Sequence, residues 1–283
     1  MSLGKRFMGT HSLIRLCANC LSLNTKKTEL MLFHSTHKQI TFRLTVKIKG
    51  TKVFLSHFVK YLGILIDSKL SWKKHISELT KKLNRATALL AKLRNYVHEK
   101  SLKSLYFSLF QSHINYGCLV WGFAKQSLIN KIFRIQKRAI RIITCSSYKC
   151  NTSPLFHKLG ILKIHDHIEL CRYEFVHDWI HGRLPTTFDS TFSKTNSGQY
   201  SLRRSNEKVA IPFRKLDKWG TDTLRYKGAL IHNIIIDLGL HKVKSKRIFK
   251  NKLKSMYLVN YVWIGIVGCI GYSYSSLFSS ATY

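Results

Sequence analysis

The chain has 283 residues, 45% of them hydrophobic and 12% aromatic, enough for one large or two modest cores. Lys and Arg number 48 against 13 Asp and Glu, a formal charge of +35, so the surface attracts polyphosphate and repels itself without it. Seven cysteines, an odd count, and no apolar run after Lys5 and Arg6 argue against a secreted disulfide framework and for reduced thiols in nucleus or cytosol.

Residues 1–28 are basic and free of acid, which is also the composition of a mitochondrial transit peptide. Residues 29–66 read as strands. Glu29–Phe33 is a short apolar run, and Ile40, Phe42, Leu44, Val46 and Ile48 alternate with polar residues until Gly50. Val53–Leu55 and Phe58–Ile66 are expected to pair back on that strand in a small antiparallel sheet. Helices follow. Ser71 is the expected N-cap of a helix over 72–95, with Ile76, Leu79, Leu83, Leu90 and Leu93 on one face. A second carries Leu102, Leu105, Tyr106, Leu109, Phe110, His113 and Ile114, and ends at Tyr116-Gly117.

A third helix covers 126–144, with Leu128, Ile132, Ile135, Ala139 and Ile142 inward. Ser153-Pro154 starts a short one, and Ile168 to Trp179 makes another, closed by Gly182 and Pro185. Thr186–Asn206 is rich in Ser, Thr, Asn and Gly, the composition of a linker. A basic helix runs from about Lys242 to Lys254. No charged residue follows Lys254.

Three segments stand in fixed order. Asn19-Cys-Leu-Ser-Leu-Asn24 precedes Lys27-Thr28 and Met31-Leu-Phe33. Next come Val59-Lys-Tyr-Leu-Gly-Ile-Leu-Ile-Asp67 and then Trp72-Lys-Lys-His75-Ile76. Downstream lie Tyr116-Gly-Cys-Leu-Val-Trp121-Gly122, Ser201-Leu-Arg203, Ile211-Pro212 and Tyr226-Lys-Gly-Ala-Leu-Ile-His232-Asn233. Together they resemble the end of the palm, the thumb and the terminal region of reverse transcriptases from non-LTR retrotransposons of the Jockey and CR1 type. His232-Asn-Ile-Ile-Ile236 departs from the family's usual Trp-Asn-x-Leu-Pro.

The resemblance implies a layout. Residues 1–17 are an unassigned extension and 18–70 the end of the palm. Residues 71–182 form a thumb-like helical domain, 183–257 a linker and terminal region, and 258–283 an uncharged hydrophobic tail. It makes Lys27 the lysine of motif D, which in the family assists departure of pyrophosphate as a general acid. Val59–Asp67 becomes the primer-grip hairpin, with Lys60 and Tyr61 placed to meet phosphate and sugar. The paired aspartates that hold two metal ions in this family precede these segments, and the chain contains no Asp-Asp pair. Mg²⁺ is therefore expected only of an intact polymerase, and no cofactor of these residues alone.

The third helix carries the clearest nucleic-acid signal. At 100° per residue Lys131, Arg134, Lys137, Arg138 and Arg141 fall within an arc of about 120°. No acid lies between Lys100 and Lys163. A solvated face would ordinarily mix signs. The nearby Tyr106, Tyr116 and Trp121 read as core rather than as base-stacking platforms. Cys17, Cys20, His34 and His37 have a superficial zinc-finger spacing, which motif D accounts for. His177 and His181 are four apart on a helix, but Arg172 and the neighbouring charges suggest a surface helix. No metal site is assigned.

The expected fold is α+β, a small antiparallel sheet near the amino end followed by a thumb-like bundle and a helical terminal region. The expected function is binding of an RNA or DNA backbone by a truncated RNA-directed DNA polymerase, inactive on its own, with the palm and fingers absent or supplied by a partner. The expected location is nucleus or cytoplasm. Two other readings are a tail-anchored membrane protein with a basic cytoplasmic domain, and a pseudogene product without function. The core of the tail, Tyr257–Tyr272, is short for a bilayer span.

Overall fold

The computed structural model describes residues 18–19, 24, 27–35, 45–48, 50–193, 208–213, 220 and 222–266. The fold is α+β as expected, two antiparallel hairpins followed by helices. The chain divides into two compact units, Met1–His75 and Ile76–Tyr283.

In the first unit β1 (Thr45–Ile48) pairs with β2 (Thr51–Phe54), Val46 opposite Val53. Val53 is buried and Phe54 exposed, the alternation of a strand with one covered face. Ile40–Leu44 of the expected strand lie outside the described residues. Glu29–Phe33 forms no strand. Leu30 alone bridges to Leu55, and its carbonyl accepts the Ser56 N–H at 2.7 Å.

The run Phe58–Ile66 is not one strand laid on the first. It folds on itself as β3 (Phe58–Tyr61) and β4 (Ile64–Asp67), with Tyr61 opposite Ile64. The two-residue turn between them has φ of 46° at Leu62 and 79° at Gly63. Positive φ at both positions matches the twist of a tight hairpin; glycine adopts it freely, whereas leucine is strained there. Two separate two-stranded sheets result.

Asp67 then fixes the exit from the hairpin. It is buried, and its two carboxylate oxygens accept the N–H groups of Ser71 at 2.8 Å and Trp72 at 2.9 Å. Leu70 and Trp72 in this turn have φ of 47° and 62°. The carboxylate before the first helix is thus that of Asp67, and Ser71, the expected cap, is held as a donor.

The helices are α1 (Lys73–Leu93), α2 (Glu99–Leu105), a π-helical continuation (Tyr106–Gln111) and α3 (Ser112–Asn115). Gly117, with φ 63°, turns the chain into α4 (Cys118–Trp121). Then come α5 (Gln126–Ile143), α6 (Ser153–Leu159) and α7 (Ile164–Ile180). The cap of α6 is Thr152, one residue before the expected Ser153. A 3₁₀ turn (Thr186–Thr191), α8 (Leu224–Asp237), a second 3₁₀ turn (Leu240–Lys242) and α9 (Lys246–Ile266) complete the described chain.

Three stretches differ from expectation. The start of the presumed linker packs down: Phe192 is buried with its ring 4.9 Å from that of Trp179, and Trp179 Nε1 donates to Phe188 O. Helix α8, which the apolar spacing did not mark, buries Ala229, Ile231, Ile235 and Ile236. Helix α9 continues past Lys254 to Ile266. No helix among the described residues is long and apolar enough to cross a membrane.

The core of the second unit holds Tyr106, Phe110, Trp121, Phe156, Tyr173 and Phe249, all essentially without exposure. Each large side chain so buried contributes about 1.5–3 kcal/mol. One amide crosses this core. Gln136 donates to Tyr106 Oη at 3.0 Å and to Leu162 O at 2.9 Å, and accepts the Ile164 N–H at 2.9 Å. Gly122, of the Leu-Val-Trp-Gly phrase, lets the end of α4 lie against α7. A Cβ there would stand 2.9 Å from Ile168 Cγ2 and 2.4 Å from Cys118 O.

Candidate nucleic-acid interface

Helix α5 has a sharp division of faces. Leu128, Ile129, Ile132, Ala139, Ile140, Ile142 and Ile143 are buried, and Gln136 is buried with them. Ile135, expected inward, is half-buried. On the other side Lys131, Arg134 and Arg138 are exposed, while Lys137 and Arg141 are half-buried.

The five cations are not equivalent. Lys137 Nζ lies 5.0 Å from the centre of the Phe133 ring on its own helix. The Arg141 guanidinium donates from Nε and Nη2 to Cys150 O at 3.2 and 3.0 Å, and stands 5.5 Å from the Tyr148 ring. It therefore clasps the loop after α5. Among the described residues Lys131, Arg134 and Arg138 hold no ion pair.

Five described acids of the second unit are engaged away from these cations. Glu174 meets Lys250 at 2.7 Å, and Asp178 meets Lys246 at 2.5 Å and Arg183 at 3.5 Å. Glu99 pairs with Lys158 and Asp237 with Lys208, both at 2.7 Å. Asp166, buried, accepts from the Tyr261 hydroxyl. The pairs of Glu99 and Asp237 are exposed and add little stability, whereas Glu174 and Asp178 are half-buried; each pair cancels a local charge. None of these pairs involves Lys131, Arg134 or Arg138, so no ion pair among the described residues offsets the positive charge they carry.

In the first unit, treated by itself, Lys60 and Tyr61 sit at the tip of the β3–β4 hairpin. Lys60 is exposed, and Tyr61 and Leu62 are 63% and 71% exposed. Lys27 is exposed in a turn held by Asn24, whose backbone oxygen accepts the Lys27 N–H at 3.2 Å and whose side-chain oxygen accepts it at 3.3 Å. Of the aromatic residues weighed for stacking, Tyr106 and Trp121 are buried, and Trp121 Nε1 donates to Tyr116 O at 2.9 Å. Tyr116 is 55% exposed.

The histidine pair on α7 does not present two ligands. His177 is buried, donates from Nε2 to Val243 O at 2.7 Å and stacks on Phe249 at 4.1 Å. Burial lowers its pKa from the usual 6.5. Its ring lies 4.4 Å from that of His181, edge to face. Cys17, Cys20 and His37 lie outside the described residues. A grouping invisible in the sequence does form: Cys118 of α4 meets His167 and Cys171 of α7. A hydrogen bond from the Cys118 thiol lowers the pKa of Cys171, with help from His167, and the same bond pushes that of Cys118 up.

Comparison with known proteins finds four polymerases of Drosophila mobile elements. The probable RNA-directed DNA polymerase from transposon X-element of Drosophila melanogaster is 29% identical over 126 residues. The RNA-directed DNA polymerases from mobile element jockey of Drosophila melanogaster and Drosophila funebris are 27% and 28% identical over 127 residues. The chain is related to the reverse transcriptases of non-LTR retrotransposons. The similarity covers 44% of this chain and 14% of each of these polymerases, so the chain spans a minor part of the relatives it matches. No family model matches the chain, and no solved structure matches it.

Proposed function

We propose that these residues serve the thumb side of a non-LTR retrotransposon RNA-directed DNA polymerase, holding the backbone of RNA or DNA rather than joining nucleotides. The observation that carries this reading is the outer face of α5. Lys131, Arg134 and Arg138 are exposed on a helix with no acid and have no ion pair among the described residues. Contacts of this kind position a backbone and carry no base information. The hairpin tip with Lys60 and Tyr61, and the turn with Lys27, are proposed to take the roles that the family gives to its primer grip and motif D. Synthesis by two-metal chemistry needs paired carboxylates. The 283 residues hold no Asp-Asp pair, and the carboxylate of Asp67 already takes two N–H groups. The test is binding of single-stranded RNA of two unrelated sequences, measured by anisotropy over a range of salt. Both sequences should bind alike, with an affinity that falls linearly on a log–log plot. Primer extension with Mg²⁺ or Mn²⁺ should yield no template-dependent product. Salt-insensitive binding, or none, sinks the reading.

A further inference from the structure

Helix α4 is one turn long, and its first residue, Cys118, is buried. Two side chains of α7, His167 and Cys171, lie four positions apart and so share a face. The close approach that Gly122 permits brings the two helices together. The Sγ of Cys118, a ring nitrogen of His167 and the Sγ of Cys171 all lie within 4.8 Å of one another. Cys171 Sγ and His167 Nε2 are 3.6 Å apart.

These donors suit a soft divalent ion. Tetrahedral zinc with sulfur at about 2.3 Å and nitrogen at about 2.0–2.1 Å sets S···N at ~3.6 Å and S···S at ~3.8 Å. The His167–Cys171 pair already has that spacing, and no pair of donors within 4.8 Å need close by more than about 1 Å. Two thiolates also neutralise the ion, so that closing the site buries no net charge. His167 and Cys171 are half-buried, which leaves a path for entry. Oxygen-seeking Mg²⁺ finds no carboxylate among the three. His177 and His181 lack this arrangement, since His177 Nε2 is committed to Val243 O.

We propose that Cys118, His167 and Cys171 form a Cys₂His site for a single zinc ion, with its fourth position filled by a non-protein ligand. The bound ion ties α4 to α7 at the place where Gly122 already brings them close. The reading is independent of nucleic-acid binding.

The test uses the full chain, reduced and stripped of metal, titrated with Zn²⁺ against a chromogenic chelator and with Co²⁺ as a spectroscopic probe. One ion per chain is expected, with a thiolate-to-cobalt charge-transfer band. Cys171→Ser and His167→Gln should each weaken zinc at least about a hundredfold, since loss of a ligand's mere supporting partner costs ten- to a hundredfold. Cys17→Ser with Cys20→Ser should leave this binding unchanged. Cys118→Ser risks the fold because the residue is buried; His167→Gln, half-exposed, keeps the test decisive once circular dichroism shows native helix. Three results overturn the proposal: no zinc bound by the native chain, zinc bound but indifferent to His167→Gln, or zinc lost only with the Cys17 and Cys20 changes. A Cys118–Cys171 disulfide that forms equally with and without zinc also overturns it, and makes the pair a redox couple instead.

Discussion

Lys131, Arg134 and Arg138 on α5 stand without an acid partner among the described residues, whereas Arg183, Lys246 and Lys250 at the α7–α9 edge close on Glu174 and Asp178. Each region presents three cations. Seen from a distance, the first is a field of three charges and the second is nearly neutral. A formal charge of +35 says that the chain is basic; the placement of 13 acids decides where. They collect toward the carboxy-terminal helices, and the stretch from Lys100 to Lys163 has none.

This contrast is open to direct attack. The largest expected effect is from Lys131→Gln, Arg134→Gln and Arg138→Gln together. If each cation holds a phosphate, the slope of log K against log salt on single strands should flatten by about two units, close to a hundredfold in affinity at about 0.1 M salt. The matched change of Arg183, Lys246 and Lys250 to Gln removes the same formal charge and should move the slope by less than about half a unit. Equal losses from both sets would mean that binding follows net charge alone.

The reverse experiment is the next in size. Glu174→Gln with Asp178→Asn should release the three cations of the α7–α9 edge and create a second basic surface. A slope steeper by about one unit, with about a tenfold gain at low salt, is expected in the same anisotropy assay. No gain would show that these cations cannot reach a backbone.

Arg141 separates position on a helix from purpose. Its guanidinium already holds Cys150 O, so Arg141→Gln should cost about 1 kcal/mol in urea denaturation through lost charge-assisted hydrogen bonds. The salt slope should barely change. Arg138→Gln, its exposed neighbour on α5, should do the opposite.

A smaller difference concerns acid. His177, at the α7–α9 edge, faces His181, Arg183 and Asp178, and burial holds its folded pKa below 6.5. The folded state therefore binds a proton less readily than the unfolded chain. Stability is full above 6.5 and declines as the pH falls from there through the folded value, by no more than about 1.4 kcal/mol per pH unit for this residue. Urea midpoints at about pH 7.5 and about pH 5.5 should differ less in His177→Gln than in the native chain. An equal drop in both would assign the acid sensitivity to His165 and His232, whose burial lowers them in the same direction.

Much of this was legible in the residues, for identifiable reasons. Helix α5 was readable because cations and aliphatic residues divide at a helical period, and its bounds differ from expectation by one residue. The hairpin turn was not readable from period, because Phe58–Ile66 is apolar almost throughout and only Gly63 hints at a bend. A leucine at positive φ carries no sequence signal. Gln136, set among Lys and Arg, carries no sequence signal of its role, since nothing local reveals that Tyr106, Leu162 and Ile164 await its amide. The Cys118–His167–Cys171 grouping was unreadable for the same reason: Cys118 stands about fifty residues before the other two and meets them only through packing. Spacing gave the five cations a common side of α5. It did not tell that Arg141 is held by a carbonyl nine residues away.

The amide of Gln136 has a consequence for how the basic strip comes into being. It is satisfied only when the π-helical turn, α5 and the entrance to α7 have all arrived, and any one missing leaves a polar group stranded in the core. Like a keystone, it fixes the rotation of α5 about its own axis. A peptide cut from this helix, or a chain clipped before α7, keeps every positive charge yet loses the orientation that lines those charges up. Order along the strip is thus inherited from three distant stretches of chain, and a nucleic acid that tracked it would report on whether the whole helical unit has closed.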